Sequence, residues 1–116
     1  MTNQTILLAC YDHLITALTT RDIVWLNRAL APTADCHIAY DDHLSKYAWI
    51  DMIQNGTLRY FDFSAVSQLK ISHTHGTLWT QASLQLTDRL MPQAQLQWQF
   101  VAENNCWLLL HQIVLN

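Results

Sequence analysis

The spacing of apolar residues divides the chain into a helical first part and a stranded second part. Residues 4 to 19 carry apolar side chains three and four positions apart, which predicts one amphipathic helix with the stripe Leu7, Cys10, Tyr11, Leu14, Ala17 and Leu18. Asp22 stands where a helix N-cap belongs, and the shorter apolar stripe after it predicts a second helix that Pro32 closes. Helices that precede strands in this order are typical of an α+β domain.

A brief strand and a third helix are predicted in the middle of the chain. Residues 34 to 40 are short and mixed, which predicts a strand that leads into a polar loop at residues 41 to 43. Ser45 can accept a hydrogen bond from the free amides of the following turn, and Gly56 supplies the left-handed residue that stops the helix. Trp49 lies on the apolar side between them, so we predict a helix of about ten residues that is docked by its tryptophan.

After Gly56 the apolar period changes to two, which indicates strands. We predict four strands, at residues 67–73, 78–88, 93–100 and 106–115. Turns are predicted at His75-Gly76, at Arg89 to Gln93 and at Glu103 to Asn105. The third of these strands alternates apolar residues with glutamines, and the fourth is apolar on both faces, as a central strand is. Helices followed by such an antiparallel meander predict a bent sheet around the helices, with a conical cavity between them.

Composition favours one domain with more apolar surface than a monomer usually exposes. The 116 residues fit one core, and we expect a single domain over residues 1–116. Apolar residues make up 51% of the chain and charged residues only 13%, whereas roughly 25% charged residues are usual in soluble domains. A second copy of the chain would cover the excess apolar surface, so we expect a homodimer.

Charge, the first residues and the cysteines restrict partners and location. The net charge is −3 and the six lysines and arginines form no basic cluster, which disfavours nucleic-acid binding. The start of the chain has no basic segment before its short apolar run, so we predict no signal peptide, no membrane span and a cytoplasmic location. Cys10, Cys36 and Cys106 are far apart and odd in number, so we expect buried, reduced thiols rather than a disulfide framework.

A run of spaced residues around the third helix resembles the nuclear transport factor 2-like superfamily, and these residues are Ser45, Lys46, Trp49, Ile53, Gly56 and Tyr60. The superfamily has a cone-shaped α+β fold, also called cystatin-like, and includes ketosteroid isomerase, scytalone dehydratase and SnoaL-like cyclases. The run is most similar to that of bacterial members with a DUF4440 or SnoaL-like domain. The resemblance spans nearly the whole chain and implies N-terminal helices packed on a strongly curved antiparallel sheet. It does not specify a reaction, because the superfamily hosts enzymes, binding modules and dimerisation domains.

The resemblance and the residue types together give candidate chemistry in a pocket for a small, largely apolar molecule. The catalytic aspartate of the isomerases falls near Tyr40 or Asp41 of this chain, although the glycine that often follows the first-strand histidine is missing. If the protein is an enzyme, we expect cofactor-free isomerase, cyclase or dehydratase chemistry, with His37 or Asp41 as base and Tyr11 as hydrogen-bond donor. The alternative is a non-catalytic ligand sensor or dimerisation module. The candidate ligand-binding residues are Tyr11, His37, Tyr40, Trp49, Tyr60, Trp79, Trp98 and His111.

Metal and cofactor sites receive little support from the sequence. His73 and His75 are two positions apart, a spacing that can bind zinc from one face of a strand, but a site needs at least a third ligand. Two glycines cannot form a nucleotide-binding glycine loop, and no Gly-x-Ser-x-Gly or Cys-His signature is present. We therefore expect no cofactor and no bound metal.

Overall fold

The computed structural model describes residues 2–39, 42–104 and 106–115, which form three helices and seven strands. The helices are α1 (Asn3–Thr20), α2 (Ile23–Ala29) and α3 (Lys46–Gln54). The strands are β1 (Leu30–Ala39), β2 (Asp42–Ser45), β3 (Arg59–Phe61), β4 (Gln68–Ile71), β5 (His75–Gln85), β6 (Leu90–Glu103) and β7 (Cys106–Val114). They form one sheet in the order β2-β1-β7-β6-β5-β3, and β4 also pairs with β5. The helices pack against this strongly curved sheet, a half-barrel, which confirms the predicted cone-shaped α+β fold.

One pair of strands makes the sheet mixed rather than antiparallel. β1 and β7 run parallel, with Asp35 opposite His111 and Cys36 opposite Gln112. The prediction of an antiparallel sheet is therefore wrong for this pair. Parallel neighbours need a long connection, and α3 with strands β2 to β6 supplies one that brings the last strand back beside the first.

A bulge in β1 sets the register of that parallel pair. Leu30 lies opposite Leu109 and Asp35 lies opposite His111, so β1 uses more residues than β7 over the same length of sheet. Pro32 lies in this irregular segment, where the missing amide hydrogen of proline is tolerated. β1 therefore begins at Leu30, earlier than the predicted residue 34, and Pro32 is part of a strand rather than only a helix stop.

The predicted N-caps of α2 and α3 and the predicted stop of α3 are confirmed. Asp22 accepts a hydrogen bond from the Trp25 amide at 3.2 Å, and Ser45 accepts one from the Ala48 amide at 3.4 Å. Gly56 follows α3 with a φ of +79°, in the left-handed region that favours glycine. These caps satisfy amides that have no partner within the helix, and so they fix where each helix begins.

Lys46 joins α2 to α3. Its side chain is buried, and its Nζ ammonium donates to the carbonyl oxygens of Asn27 at 2.8 Å and Leu30 at 3.0 Å. These carbonyls lie at the end of α2 and the start of β1, where a helix leaves acceptors free. Ser45 and Lys46, the first residues of the motif described above, therefore build the fold: the serine starts α3 and the lysine holds it against the preceding helix.

The predicted hairpin turn at His75-Gly76 is wrong. β5 already begins at His75, and the turn lies just before it, closed by a hydrogen bond from the Ser72 amide to the His75 carbonyl oxygen at 2.7 Å. Gly76 is buried, and a Cβ atom at this position would lie 2.4 Å from Cδ2 of Leu7. The glycine is needed because α1 approaches the strand closely here, which the local sequence does not reveal.

Two short strands are absent from the prediction. β2 pairs with β1 in a segment that overlaps the predicted loop at residues 41 to 43, of which residue 41 lies outside the described residues. β3 pairs with β5. Both β2 and β3 are too short to show a clear alternation in the sequence. β6 begins at Leu90, inside the predicted turn, and Pro92 lies beside a bulge in the pairing of β5 with β6 between Ala82 and Leu84.

The core lies between the helices and the concave face of the sheet. Its largest fully buried side chains are Trp49, Trp98, Tyr11, Phe100, Leu7, Leu14, Leu26, Ile53, Leu58, Leu78, Leu84 and Leu96. The alternation predicted for β6 is confirmed, because its apolar residues from Leu96 to Phe100 are buried and the glutamines between them are partly exposed. The prediction of a buried thiol is correct for Cys36 and wrong for Cys106, which is exposed.

Candidate functional site

Four polar side chains meet in the core and form what we call the interior cluster: Cys36 on β1, Trp49 on α3, Tyr60 on β3 and Gln112 on β7. The Tyr60 hydroxyl donates to Gln112 Oε1 at 2.5 Å and accepts from Trp49 Nε1 at 3.2 Å. The Cys36 thiol donates to the same glutamine oxygen at 3.3 Å. Buried polar groups are costly unless they are hydrogen-bonded, so these contacts fix α3 and three strands relative to one another.

The indole of Trp98 connects this cluster to α1. Its ring centroid lies 6.1 Å from that of Tyr60 and 5.9 Å from that of Tyr11. Its Nε1 donates to the Thr80 hydroxyl at 2.9 Å. Aromatic rings therefore occupy much of the space between α1 and the concave face, and four of the predicted ligand-binding residues, Tyr11, Trp49, Tyr60 and Trp98, lie together there.

Two buried polar atoms in and beside this cluster make no hydrogen bond of ordinary geometry among the described residues: Gln112 Nε2, and Tyr11 Oη, whose polar neighbour is the Thr80 hydroxyl. A tyrosine hydroxyl can donate and accept, and an amide nitrogen donates. Leaving such a group unsatisfied in a protein interior costs about 1 to 3 kcal/mol. The interior therefore holds two polar atoms whose hydrogen-bonding capacity is not fully used by the described residues.

The groups of the interior are held in their neutral forms. Burial raises the pKa of Tyr11 to about 12, although the neighbouring Thr80 hydroxyl acts to lower it. Burial likewise raises the pKa of Cys36 to about 12, and it raises the pKa of Tyr60 well above the usual value of 10. At neutral pH these side chains can therefore donate hydrogen bonds, and none of them is a base.

The predicted residues His37 and His111 lie on the other face of the sheet. They neighbour Cys36 and Gln112 in the chain, and adjacent residues of a strand point to opposite faces. His111 Nδ1 lies 2.5 Å from one carboxylate oxygen of Asp35, and His37 Nε2 lies 3.4 Å from the other. We call Asp35, His37 and His111 the outer cluster. The prediction that these histidines point into the cone is wrong, because the face that carries Cys36 and Gln112 is the buried one.

The outer cluster differs from the interior in exposure and charge. Its three side chains are between 29% and 32% exposed. Partial burial acts to raise the pKa of Asp35, but the hydrogen bond and charge of His111, together with His37, outweigh it and lower this pKa below its usual value of 3.8. Asp35 is therefore a carboxylate at neutral pH, between two imidazoles.

Of the remaining candidates, Tyr40 and Asp41 lie outside the described residues. Trp79 is half-buried on the outer face of β5, since its neighbour Thr80 points inward, and the Lys70 ammonium lies 5.8 Å from its ring. His73 and His75 are exposed, and the Nδ1 atom of His75 is hydrogen-bonded to the Thr74 hydroxyl at 2.8 Å. The interior candidates are therefore reduced to Tyr11, Trp49, Tyr60 and Trp98.

Sequence reasoning misses three residues that matter in these clusters. Gln112 is a lone amide in the apolar run of β7, and a polar residue at a position predicted to be covered is the signal that points to it. Cys36 looks like an ordinary buried thiol. Asp35 lies two residues before His37, and this spacing on a predicted strand places a carboxylate and an imidazole on one face.

A surface pocket of about 290 Å³ lies beside the interior cluster. It is lined by Leu18, Thr19, Arg21, Leu58, Arg59, Tyr60 and Phe61. Tyr60 thus belongs both to the wall of this pocket and to the interior cluster. The wall of this surface pocket therefore includes a member of the interior cluster.

Comparison with known proteins identifies the fold. No protein-family model matches the chain, and no curated protein matches it. An NTF2-like protein from Cytophaga hutchinsonii has a similar structure, with a TM-score of 0.80 at 14% identity over 99% of this chain and 100% of that chain. A protein with a cystatin-like fold from Caulobacter vibrioides has a TM-score of 0.73 at 13% identity over 97% and 89% of the two chains. The chain therefore has the NTF2-like fold, as predicted.

A third solved structure with this fold is an LEH-like epoxide hydrolase from M. tuberculosis. Its TM-score is 0.68 at 10% identity, over 98% of this chain and 82% of that chain. Similarity at this level of identity concerns the fold and leaves the chemistry open. The closer assignment to DUF4440 or SnoaL-like proteins stays a prediction.

Proposed function

We propose that the chain binds a small, largely apolar molecule in its interior, and that this molecule presents a hydrogen-bond acceptor to Tyr11 and Gln112. The observation that carries the proposal is the pair of unsatisfied polar atoms, Tyr11 Oη and Gln112 Nε2. Because an unsatisfied buried donor costs about 1 to 3 kcal/mol, a ligand oxygen that accepts from one of them gains that amount on binding.

The surroundings define the class of ligand. Aromatic rings lie beside both residues, Trp98 beside Tyr11 and Tyr60 beside Gln112, which favours a flat apolar body. The interior groups stay neutral because burial raises the pKa values of Tyr11, Cys36 and Tyr60. Neutral donors favour an uncharged acceptor such as a ketone or ester carbonyl. The pocket beside Tyr60 is the proposed route of entry.

Binding without catalysis is the interpretation that the described interior supports best. Proton transfer needs a base, and no carboxylate or imidazole is buried among the residues whose side chains are described, 2–38, 43–104 and 106–115. The epoxide hydrolase with this fold is an example of an enzyme, so catalysis by this chain is kept as the alternative. In that alternative Asp41, outside the described residues, is the candidate base, and Tyr11 is the donor.

A fluorescent naphthalene ketone, prodan, tests the proposal. We expect its emission to shift to shorter wavelength on titration with the protein, and Tyr11→Phe to weaken binding by about fivefold to a hundredfold, which corresponds to one lost hydrogen bond of about 1 to 3 kcal/mol. Tyr11→Phe keeps the ring and removes an unpaired hydroxyl, so the free protein should be at least as stable as wild type in urea denaturation.

The matched control is Tyr47→Phe, which removes the hydroxyl of a tyrosine that is 72% exposed. It should bind prodan as wild type does. The proposal is contradicted if wild type does not bind prodan, or if Tyr11→Phe binds it with wild-type affinity, which is the result expected if the hydroxyl contacts only water.

The homodimer expected from the low charge content stays a prediction. In the described ranges, no helix is both long enough and apolar enough to span a membrane. The cytoplasmic location, for its part, stays a prediction.

A further inference from the structure

We propose that the outer cluster, Asp35, His37 and His111, binds a divalent transition-metal ion of the zinc type. The three side chains offer two imidazole nitrogens and one carboxylate oxygen, and these donor atoms all lie within 4.8 Å of one another. A tetrahedral zinc ion with bonds of about 2.0 to 2.1 Å places its donor atoms about 3.3 Å apart. Small rotations of side chains that are already in contact are therefore enough to close the donors around an ion.

The backbone holds the three donors on one face. Asp35 and His37 are two residues apart on β1, so their side chains point the same way. His111 lies on β7 directly opposite Asp35 in the parallel pair. Donors placed on neighbouring strands of a sheet are better fixed than donors on loops, so less conformational freedom is lost when an ion binds.

The donor set selects the kind of ion. Imidazole nitrogens suit zinc, copper, iron and nickel, whereas calcium and magnesium prefer oxygen donors throughout. Three protein ligands leave at least one position of the ion open to water or to a further ligand. A third imidazole, that of His43 on β2, stands next to the site, with its ring centroid 3.8 Å from that of His37.

The same contacts also suit a metal-free network in which Asp35 accepts from both histidines. Binding of one ion per chain separates the two interpretations. We would remove bound ions from the full chain with a chelator and titrate it with zinc chloride in a calorimeter, and with cobalt chloride in an absorption spectrometer. We expect a stoichiometry of one, and cobalt absorption bands of a four- or five-coordinate ion. Calcium chloride should give no binding.

Variants locate the site. Asp35→Asn and His111→Ala should each weaken zinc binding by about tenfold or more, since even the outer-shell partners of metal ligands contribute that much. The matched control is the double substitution of His73 and His75 by alanine, which removes two exposed histidines at the turn before β5 and should leave the affinity unchanged. Asp35→Asn preserves the shape of the side chain. If His111→Ala fails to fold, Asp35→Asn and His37→Gln are the variants that locate the site.

Three results would overturn the proposal. One is the absence of zinc binding at millimolar concentration by the wild-type chain. Another is equal affinity of wild type and Asp35→Asn, both folded by circular dichroism. The third is loss of binding in the His73 and His75 control, which would assign the ion to that exposed pair.

Discussion

On β1 and β7, residues one position apart in the chain enter two very different environments. Cys36 and Gln112 point inward, where they are fully buried and uncharged at neutral pH. Asp35, His37 and His111 point outward, where they are about a third exposed and include a carboxylate. The same two strands thus carry neutral hydrogen-bonding groups on one face, and a carboxylate with two imidazoles, groups that can bind a metal, on the other.

The comparison shows that the surroundings of a polar side chain decide what it can do. Inside, burial penalises every charged form, so the hydroxyl and thiol groups hold their protons and are suited to hydrogen bonding. Outside, partial exposure lets Asp35 keep its charge, which favours ion pairing and metal binding. The two proposals therefore concern separate sites, and substitutions in one cluster should leave the function of the other intact.

The largest expected effect is on the inner side. Trp49→Ala removes a fully buried indole together with its hydrogen bond to Tyr60, and should lower the free energy of unfolding by about 3 to 5 kcal/mol. Urea denaturation measures this loss. Trp79→Ala, on the outer face, should cost less because that ring is only half-buried. A midpoint of Trp49→Ala close to wild type would contradict the docking of α3 by its tryptophan.

A smaller effect tests the hydrogen bonds alone. Tyr60→Phe keeps the ring but leaves Trp49 Nε1 without its acceptor and removes a donor to Gln112, so we expect a loss of about 1 to 3 kcal/mol by the same measurement. Tyr47→Phe, at an exposed position, should change stability by less than about 0.5 kcal/mol. Equal effects of the two substitutions would show that the inner hydrogen bonds contribute nothing specific.

The pH dependence of stability also separates the two faces, which should act at opposite ends of the pH range. The pKa of Cys36 is raised from 9.0 to about 12 in the folded chain, so its contribution is present below pH 9 and is lost as pH rises towards 12. The pKa of Asp35 is lowered, so its contribution is present above pH 3.8 and is lost as pH falls further. Urea midpoints across pH measure both.

Single substitutions separate these two contributions. Cys36→Ala should make the alkaline side of the stability profile less steep, since Tyr11 and Tyr60 still contribute there, and should leave the acid side as it is. Asp35→Asn should do the reverse. If either substitution changes both the acid and the alkaline side of the profile, or changes no side at all, the assignment of the two sides to the two faces of the sheet is wrong.

Local signals in the sequence predict much of the fold. The stripe of α1, the caps at Asp22 and Ser45, and the alternation of β6 each depend on residues close in the chain, and each is confirmed. The failures depend on contacts between distant residues. Gly76 is explained by Leu7 of α1, and the parallel pairing of β1 with β7 joins the first and last strands of the chain.

The candidate sites show the same limit. Alternation along a strand groups residues into two faces but does not say which face is covered. That is why His37 and His111 are candidates for the pocket from the sequence although they lie on the outer face. Gln112 differs from its neighbours only as an amide in an apolar run, Cys36 looks like any buried thiol, and their shared contact with Tyr60 is what reveals the cluster.

The bulge between Leu30 and Asp35 is a part of β1 in which the number of residues is not fixed by pairing with β7. The helical part of the chain enters the sheet through this segment, and the segment already holds more residues than the facing stretch of β7. A residue gained or lost here would change the size of the bulge. The same change after Asp35 would shift the alternation of side chains along the strand and exchange its two faces. The number of residues between the helices and the paired part of β1 can thus change while Asp35 stays on the outer face and Cys36 on the inner face.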